Sequence, residues 1–504
     1  MKGMLFVGIL VAVAAVAAVI MLVDDGTVDD DGYLYAVYTD ADRNLDVIDV
    51  YESHYDGGTA TALSQVYRHP DAVDGIDQFW SFDRKTGVGP FNSYYAAINL
   101  SSDAGLYLSD DSSERRMSAS VGRIAYVLDP FDLSRTLNGH VFSGDLYNVM
   151  LMIPTVYWTS EKTIAERTEG NIVEGREYNV LYMSSEPTYR PSGHDTVTGM
   201  VAYAHSASTV VGKTDFKTDI YPLLGIGVYE SYVTTDSDSV SKGLLVSQSG
   251  RVPASGHDVD AFKSFADALT PAQSSGPEPD YQEWNYYQWT LYKMMCYAVM
   301  GSKNSQVIVG AGYTEENPSS AVTGSTDAIG FVGVAESTRT SSGDVQTGVG
   351  KTASKLFIEN GWGSLNEFLG DAFVAGDGPD SQILYAGNRL GGDDMLTTRH
   401  QPSTGLVWAN VHASGEPQRI IADTSADPST WDAPLTSDAN RDSYFDPRYP
   451  GDVTNSAKSG VNSITVGGRW DNTCFAGVAF ACAGYDISEA NEYRGARLAY
   501  LLSE

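Results

Sequence analysis

The chain has 504 residues, of which 42% are hydrophobic, and a net charge of −33 from 65 acidic and 32 basic residues. The apolar content is high enough to bury a core, so the composition excludes a wholly disordered chain. The acidic balance excludes nucleic acid as a partner, because its phosphates would be repelled. Three cysteines in a chain of this length exclude a fold held by a disulfide framework.

The N-terminus carries an unbroken apolar run over residues 4–23. Twenty helical residues span about 30 Å, the thickness of a bilayer's hydrocarbon core. Lys2 precedes the run and Asp24 and Asp25 follow it, which favours a cytoplasmic N-terminus. The run therefore predicts a transmembrane signal anchor over 1–23 and a single-pass protein of the cell membrane, with the bulk of the chain extracellular. The alternatives are a cleaved signal peptide, whose apolar core is usually about 7–15 residues long, and lipid attachment.

Residues 24–119 begin with an acidic linker and continue as a β-rich, membrane-proximal region. Short alternating runs separated by Gly, Asp and Ser predict its strands over 33–39, 94–100 and 105–109. From residue 120 onward the strand candidates are more strongly apolar. They cover 123–129, 147–158, 178–184, 200–205 and 221–233. Pro154 and Pro222 predict sheet edges or bulges at their positions.

Helical spacing replaces the strand pattern after residue 256. Residues 257–271 place Val259, Phe262 and Leu269 on one stripe, and residues 283–301 form a second amphipathic pattern that stops at Gly301. Loops and short strands follow to the C-terminus. This order predicts an α+β fold, with two helices packed on short, irregular antiparallel sheets.

Motifs for catalysis and for metal binding are absent from the sequence, which contains no HExxH, CxxC or GxSxG. Residues 348–355 (GVGKTASK) resemble part of a phosphate-binding loop but lack its leading glycine. We interpret them as a loop that enters a strand. The sequence therefore predicts no catalytic residue, no metal site and no cofactor.

The last 45 residues carry a more specific pattern. Gly467-Gly468-Arg469-Trp470 begins it, and Gly495-Ala496-Arg497-Leu498-Ala499 ends it. This pattern resembles the closing segment of the C-type lectin-like fold of formylglycine-generating enzymes and of the variable proteins of diversity-generating retroelements. Segments 226–232, 247–253, 301–313 and 356–368 are similar to the same family in phage tails and cell-surface proteins. The resemblance implies a C-type lectin-like domain over 120–504, with a variable-type segment over 467–502.

Elementary chemistry assigns structural roles to three residues of the C-terminal pattern and of segment 356–368. Paired glycines before Trp470 allow a close backbone approach beside a large ring. We expect Trp470 and Trp362 to be core residues. Arg497, between small and apolar residues, predicts a hydrogen-bonding role inside the fold.

The resemblance implies that the exposed residues between 471 and 493 form a ligand-binding face. In retroelement variable proteins this stretch is diversified by mutation of adenines in asparagine codons. The predicted ligand-binding residues are Asp471, Asn472, Phe475, Cys482, Gly484, Tyr485, Asn491 and Tyr493. An ordinary β-rich terminus is the alternative interpretation.

These observations predict a membrane-anchored surface adhesin that is not an enzyme and binds a cell-surface protein or glycan. A structural envelope protein is one alternative. The other is a copper-dependent enzyme of the formylglycine-generating type, in which Cys474 and Cys482 would hold Cu(I).

Overall fold

The computed structural model describes many separate stretches of the chain. They are residues 33–40, 49–56, 59–60, 64–67, 80–100, 114–116, 124–141, 146–154, 156–166, 168, 170, 172–185, 201–202, 207–209, 216–218, 223–269, 281–302, 304–314, 319–341, 344–376, 382–385, 403–408, 414–415, 460–472, 476–478 and 480–502.

Most of the described chain is β structure. The strands before residue 250 are β1 (Tyr33–Asp40), β2 (Asp49–Asp56), β3 (Thr59–Ala60), β4 (Ser64–Tyr67), β5 (Tyr94–Asn99), β6 (Glu114–Arg116), β7 (Ile124–Asp129), β8 (Asp132–Thr136), β9 (Tyr147–Pro154), β10 (Tyr157–Ile164), β11 (Glu177–Ser184), β12 (Val201–Ala202), β13 (Ala207–Thr209), β14 (Phe216–Thr218), β15 (Leu223–Gly227), β16 (Tyr232–Val233) and β17 (Leu245–Val246).

The later strands begin at residue 281. They are β18 (Tyr281–Glu283), β19 (Ala321–Val322), β20 (Val332–Ser341), β21 (Asp344–Leu356), β22 (Ile358–Glu359), β23 (Asn366–Gly376), β24 (Gln382–Tyr385), β25 (Ser403–Trp408), β26 (Ser414–Gly415), β27 (Gly460–Val466), β28 (Ala481–Asp486), β29 (Arg494–Gly495) and β30 (Leu498–Leu502). The helices are a 3-10 turn at Pro90–Asn92, α1 (Val259–Asp267), α2 (Tyr286–Met300) and α3 (Ser305–Ile308).

Three large sheets organise these strands. The first has the order β12-β10-β11-β1-β2-β3, with β4 also paired to β2. The second has the order β18-β30-β15-β9-β5-β7-β6, with β8 paired to β7. The third has the order β25-β24-β23-β27-β28-β26, and β29 joins β23 in a parallel pairing. Smaller sheets pair β13 with β14 and β16 with β17, and link β19-β20-β21-β22.

The apolar runs explain the most buried strands. Strand β9 buries all of its central residues, as expected of a continuous apolar run with both faces covered, and it ends at Pro154. Strand β1 shows the period of two instead. Leu34 and Ala36 lie in one apolar cluster, whereas Tyr33 and Val37 lie in the main core.

The two predicted longer helices are present. Asp258 caps α1 by accepting a hydrogen bond from the Ala261 N–H at 2.9 Å, and the predicted stripe of Val259 and Phe262 is buried. Helix α2 starts with a capping box and ends at Gly301 in the left-handed conformation. Its amphipathic assignment is wrong, because the side chains over 288–300 are all buried. Helix α2 therefore crosses the core rather than covering a sheet.

The predicted α+β fold class is wrong, because strands dominate the described residues. Two sheets of seven strands and one of eight contain most of them, and the helices are few. The predicted arrangement of two helices packed on short, irregular sheets is therefore corrected to a β-rich fold. The physical reason is that strand pairing depends on distant partners, so polar strands rich in Gly and Ser give weak local signals.

The membrane prediction is also corrected. Within the stretches that the structure describes, no helix is both long and apolar enough to cross a membrane. Residues 4–23, on which the signal anchor was predicted, lie outside those stretches. The transmembrane helix and the single-pass membrane localisation are therefore not supported.

Two further segments bear on the predicted organisation. Residues 348–355 lie within strand β21, so their interpretation as a loop is wrong. Strand β5, from the predicted membrane-proximal region, lies in the same sheet as β9 and β30 from the predicted lectin-like region. The division at residue 120 stays a prediction.

Candidate functional site

The C-terminal segment makes a tight turn after strand β27. Gly467 and Gly468 both have φ of +83°, which is costly for any residue with a Cβ. A Cβ on Gly468 would lie 2.7 Å from the Cα of Ala476. The paired glycines therefore permit the close backbone approach that the sequence predicted.

Trp470 anchors this turn in the core. Its side chain is 4% exposed and belongs to a small apolar cluster with Tyr313, Ala321 and Leu365. Its backbone N–H donates to the carbonyl oxygen of Ser364 at 3.1 Å. Trp362 is fully buried as well. The core role predicted for both tryptophans is confirmed.

A stack of side chains lies on Trp470. The ring of Tyr493 is half-buried, with its centroid 5.3 Å from that of Trp470, and the Arg469 guanidinium carbon lies 4.0 Å from the centroid of the Tyr493 ring. Arg469 also binds both carboxylate oxygens of Asp471 through Nε and Nη2. We call Arg469, Trp470, Asp471 and Tyr493 the C-terminal stack.

Backbone hydrogen bonds fix the C-terminal stack on the scaffold. The Asn366 N–H donates to the carbonyl oxygen of Tyr493, and the Asn491 side chain accepts from the Tyr493 N–H, both at 3.0 Å. The side-chain oxygen of Asn472 accepts from the Arg469 N–H at 2.8 Å. The side chains that face solvent here are held by the fold before any ligand arrives.

Four predicted site residues are thus brought together: Asp471, Asn472, Asn491 and Tyr493. Cys482 does not join them, because its side chain is 8% exposed within strand β28. Gly484 and Tyr485 lie in the same strand, where Tyr485 pairs with Ser463 through the backbone. Phe475 lies outside the described residues.

Sequence reasoning missed two parts of this site. Arg469 was identified only as a motif residue, although its guanidinium covers Tyr493. The loop over 251–256 was not assigned to the site, yet the Gly256 N–H donates to the carbonyl oxygen of Asn491 at 2.8 Å. An arginine two residues from an aspartate, next to tryptophan, is the signal that would have identified Arg469.

A buried arginine holds the strands beneath the site. Arg497 is 0% exposed, and it forms a salt bridge with both carboxylate oxygens of Glu367. Its guanidinium also donates to the carbonyl oxygens of Gly227, Val228, Glu359 and Asn360 at 2.9–3.2 Å. The hydrogen-bonding role predicted for Arg497 is confirmed.

Glu230 lies close to the same charges. Burial raises the pKa of the Glu230 carboxyl well above its usual range, and the negative charge of Glu367 raises it further. The Oε1 atom of Glu230 accepts a hydrogen bond from the Leu365 N–H at 2.8 Å. The two carboxylates and one guanidinium form a buried network that links strand β23 to the C-terminal segment.

A second polar network surrounds Lys355. Burial lowers the pKa of the Lys355 ammonium to about 8, and its Nζ donates to the carbonyl oxygen of Thr326 at 3.3 Å. Glu359 accepts from the Gly324 and Thr326 N–H groups, each at 2.8 Å, and from the Thr326 hydroxyl. Tyr229 and Ser249 donate to Asp327. These bonds hold the turn over 323–327 against the sheets.

Metal ligands do not cluster in the part of the chain that the structure describes, where no group of three or more His, Cys, Asp or Glu could hold an ion. Cys482 is a buried residue of strand β28. Cys474, the other half of the possible copper pair, lies outside the described residues. The described geometry therefore provides no assembled copper site.

Comparison with known proteins gives little further information. No protein-family model and no curated protein matches the sequence. Solved structures similar to the chain include the Major Tropism Determinant U1 variant and the Major Tropism Determinant M1 variant. The first is 11% identical with a TM-score of 0.25, covering 92% of this chain and 84% of that one. The second is 11% identical with a TM-score of 0.23, covering 93% and 84%. At these scores the likeness carries no argument about function.

Proposed function

We propose that this chain is a ligand-binding protein whose binding face is built on the C-terminal segment 467–502. The observation that carries the proposal is the half-exposed Tyr493 ring, held between Trp470 and Arg469. Tyrosine provides a large contact area with few rotamers to fix, which is why binding loops are rich in it. A ring already fixed by its neighbours loses less entropy when a ligand binds.

Polar groups around Tyr493 supply directional contacts. Asp471 is exposed, and Asn472 and Asn491 are half-buried with their side-chain oxygens accepting backbone hydrogen bonds. Amide and carboxylate groups on a fixed backbone select a ligand by hydrogen-bond geometry. In this proposal Gly484, Tyr485 and Phe475 extend the same face, and the chain acts as an adhesin of the C-type lectin type.

A binding screen tests the proposal directly. The full chain is applied to an array of purified cell-surface proteins and to a glycan array, alongside the variants Tyr493→Ala and Tyr147→Ala. Tyr147 is a matched control, because its ring is also half-buried and packs on an aromatic ring, with its centroid 5.5 Å from that of Tyr126. We expect Tyr493→Ala to weaken binding by about 30-fold, as for a central interface residue worth about 2 kcal/mol. Tyr147→Ala should bind like the parent chain.

Two results would overturn the proposal: retention of full affinity by Tyr493→Ala, or absence of binding to both arrays. Comparison of close genomic copies is a second, independent test. If the face is diversified as in the retroelement proteins it resembles, differences concentrate at adenines in the codons for residues 471–493. An even spread of differences along the gene would contradict diversification. It would not bear on ligand binding, which the arrays test separately.

A further inference from the structure

A second stack of the same chemistry joins strand β16 to the loops that follow β16 and β17. The Arg251 guanidinium carbon lies 5.1 Å from the centroid of the half-buried Tyr232 ring. Arg251 Nη1 lies 3.1 Å from Asp238 Oδ1, and the Tyr232 hydroxyl donates to Asp238 Oδ2 at 2.9 Å. Tyrosine, arginine and aspartate are thus combined as they are in the C-terminal stack. We call these three residues the β16 stack.

The loop over 251–256 connects the two stacks. At one end the Arg251 N–H donates to the Thr323 hydroxyl at 3.0 Å, and at the other the Gly256 N–H donates to the carbonyl oxygen of Asn491. Between them the Ala254 N–H donates to the carbonyl oxygen of Ser231, next to Tyr232. The loop is therefore tied to the elements that carry both stacks.

The connecting loop presents an apolar side chain to solvent. Val252 is 41% exposed, although the residue that follows it, Pro253, is buried. A Cβ placed on Gly250 or Gly256 would meet no atom within 4 Å, so open space lies beside both ends of the loop. An exposed valine between two tyrosine–arginine stacks has the composition of an interface centre, where aromatic residues and arginine are enriched.

The spacing of the stacks allows one partner to contact both. Five peptide steps separate Arg251 from Gly256, which limits their Cα separation to about 19 Å. A protein interface of standard size covers about 800 Å² per partner, a disc roughly 32 Å across. A single protein partner can therefore cover both ends of the connecting loop.

Charge indicates the chemistry of that partner. Exposed carboxylates at Asp486 and Glu492 lie near the C-terminal stack in sequence, and the whole chain has a net charge of −33. A partner with basic residues around its contact surface is attracted to such a rim, and the attraction accelerates association at low salt.

We propose that the β16 stack, Val252 and the C-terminal stack form one composite face that binds a protein with a basic rim. The β16 stack and the loop over 251–256 make the half of this face that lies outside the C-terminal segment. The inference rests on the proposed ligand-binding function and deepens it by assigning the ligand class and a second set of contact residues.

The test uses the full chain on the same arrays, with Val252→Asp and the milder Val252→Ser as variants. Val173→Asp is the matched control, because Val173 is 45% exposed and lies in another part of the chain. We expect Val252→Asp to weaken binding to the array proteins at least tenfold and Val252→Ser to weaken it less. Val173→Asp should bind like the parent chain.

A kinetic arm tests the charge of the partner. The association rate should fall about tenfold as ionic strength rises from roughly 0.05 M to 0.5 M, and Glu492→Lys should lower it at low salt. An association rate that does not change with salt concentration would contradict the proposal that the partner has a basic rim.

The remaining outcomes separate the two proposals. If Val252→Asp and Val252→Ser bind normally while Tyr493→Ala does not, the composite face is wrong and the C-terminal site stands. Binding to the glycan array and not to the protein array would contradict the proposal that the ligand is a protein. If Tyr493→Ala also binds normally, or if nothing binds, the proposed function fails and this inference fails with it.

Discussion

Removal of the Arg497 guanidinium tests the buried network most directly. Arg497→Met replaces the aliphatic part of the side chain but removes the guanidinium and its six hydrogen bonds from a residue that is 0% exposed. The Glu367 carboxylate would remain buried without its counter-charge, which costs about 3–5 kcal/mol. Each carbonyl left without a donor adds about 1 kcal/mol or more. We therefore expect the free energy of unfolding to fall by at least about 5 kcal/mol, a large share of the usual 5–15 kcal/mol.

Urea denaturation followed by tryptophan fluorescence measures this loss. Arg135→Met is the matched control, because Arg135 pairs with Asp132 at 2.9 Å but its side chain is 50% exposed. An exposed pair is worth about 1 kcal/mol or less. Adding Glu367→Gln to Arg497→Met should restore part of the stability by neutralising the stranded carboxylate. A change of less than about 1 kcal/mol for Arg497→Met would refute the assigned role.

Two further variants probe the same region. Glu230→Gln keeps an acceptor for the Leu365 N–H. The pKa of Glu230 is raised in the folded state, so the parent chain loses stability as the pH rises from about 4 through that pKa. The variant should be more stable than the parent at pH 7 and equal to it at pH 3 in denaturant titrations, and equal stability at both values would contradict the raised pKa. Gly468→Ala should lower the melting temperature more than Gly139→Ala, because both glycines have φ near +82° but only the first has the backbone of Ala476 within 2.7 Å of the new methyl group. Equal losses would show that the close approach is unimportant.

Local signals in the sequence were sufficient for the two longer helices, α1 and α2. Asn285 and Gln288 form a capping box at the start of α2, and Gly301 ends the helix, all within one short segment. The burial of α2 on every side could not be predicted this way, because it depends on sheets formed by residues far away in the chain. Lys293 is 1% exposed in that helix, against the expectation for a lysine.

In segment 348–355 the local signals led to a wrong prediction. Its glycines and lysine suggested a loop, whereas it lies within strand β21, where residues 352–355 pair with β20. Strand pairing of this kind is decided by the partner strand rather than by local propensity. The fold class was wrong for the same reason, since many described strands are polar or short.

The candidate site was predictable where its residues lie close together in sequence. Asp471 and Asn472 follow Trp470 directly, and Asn491 and Tyr493 precede the final motif by a few residues. The role of Arg469 required the fold, because its cation–π contact is with Tyr493, 24 residues further along the chain. The involvement of the loop over 251–256 also required it, because the hydrogen bond from Gly256 to Asn491 joins residues 235 positions apart. Cys482 was misplaced because it is buried in strand β28, as its neighbour Ala481 is, where strand β27 pairs with it.

The position of strand β30 affects how the chain folds while the ribosome synthesises it. Strand β30 lies between β15 and β18 inside the eight-stranded sheet, so β15 keeps an open edge until residue 502 has been synthesised. About 270 residues separate β15 from β30, and at about 5–20 residues per second their synthesis takes roughly 14 to 54 s. During that interval the nascent chain presents an unpaired apolar edge to other nascent chains. Chaperone capacity and growth temperature should therefore affect the soluble yield of this protein more than the stability of its final fold does.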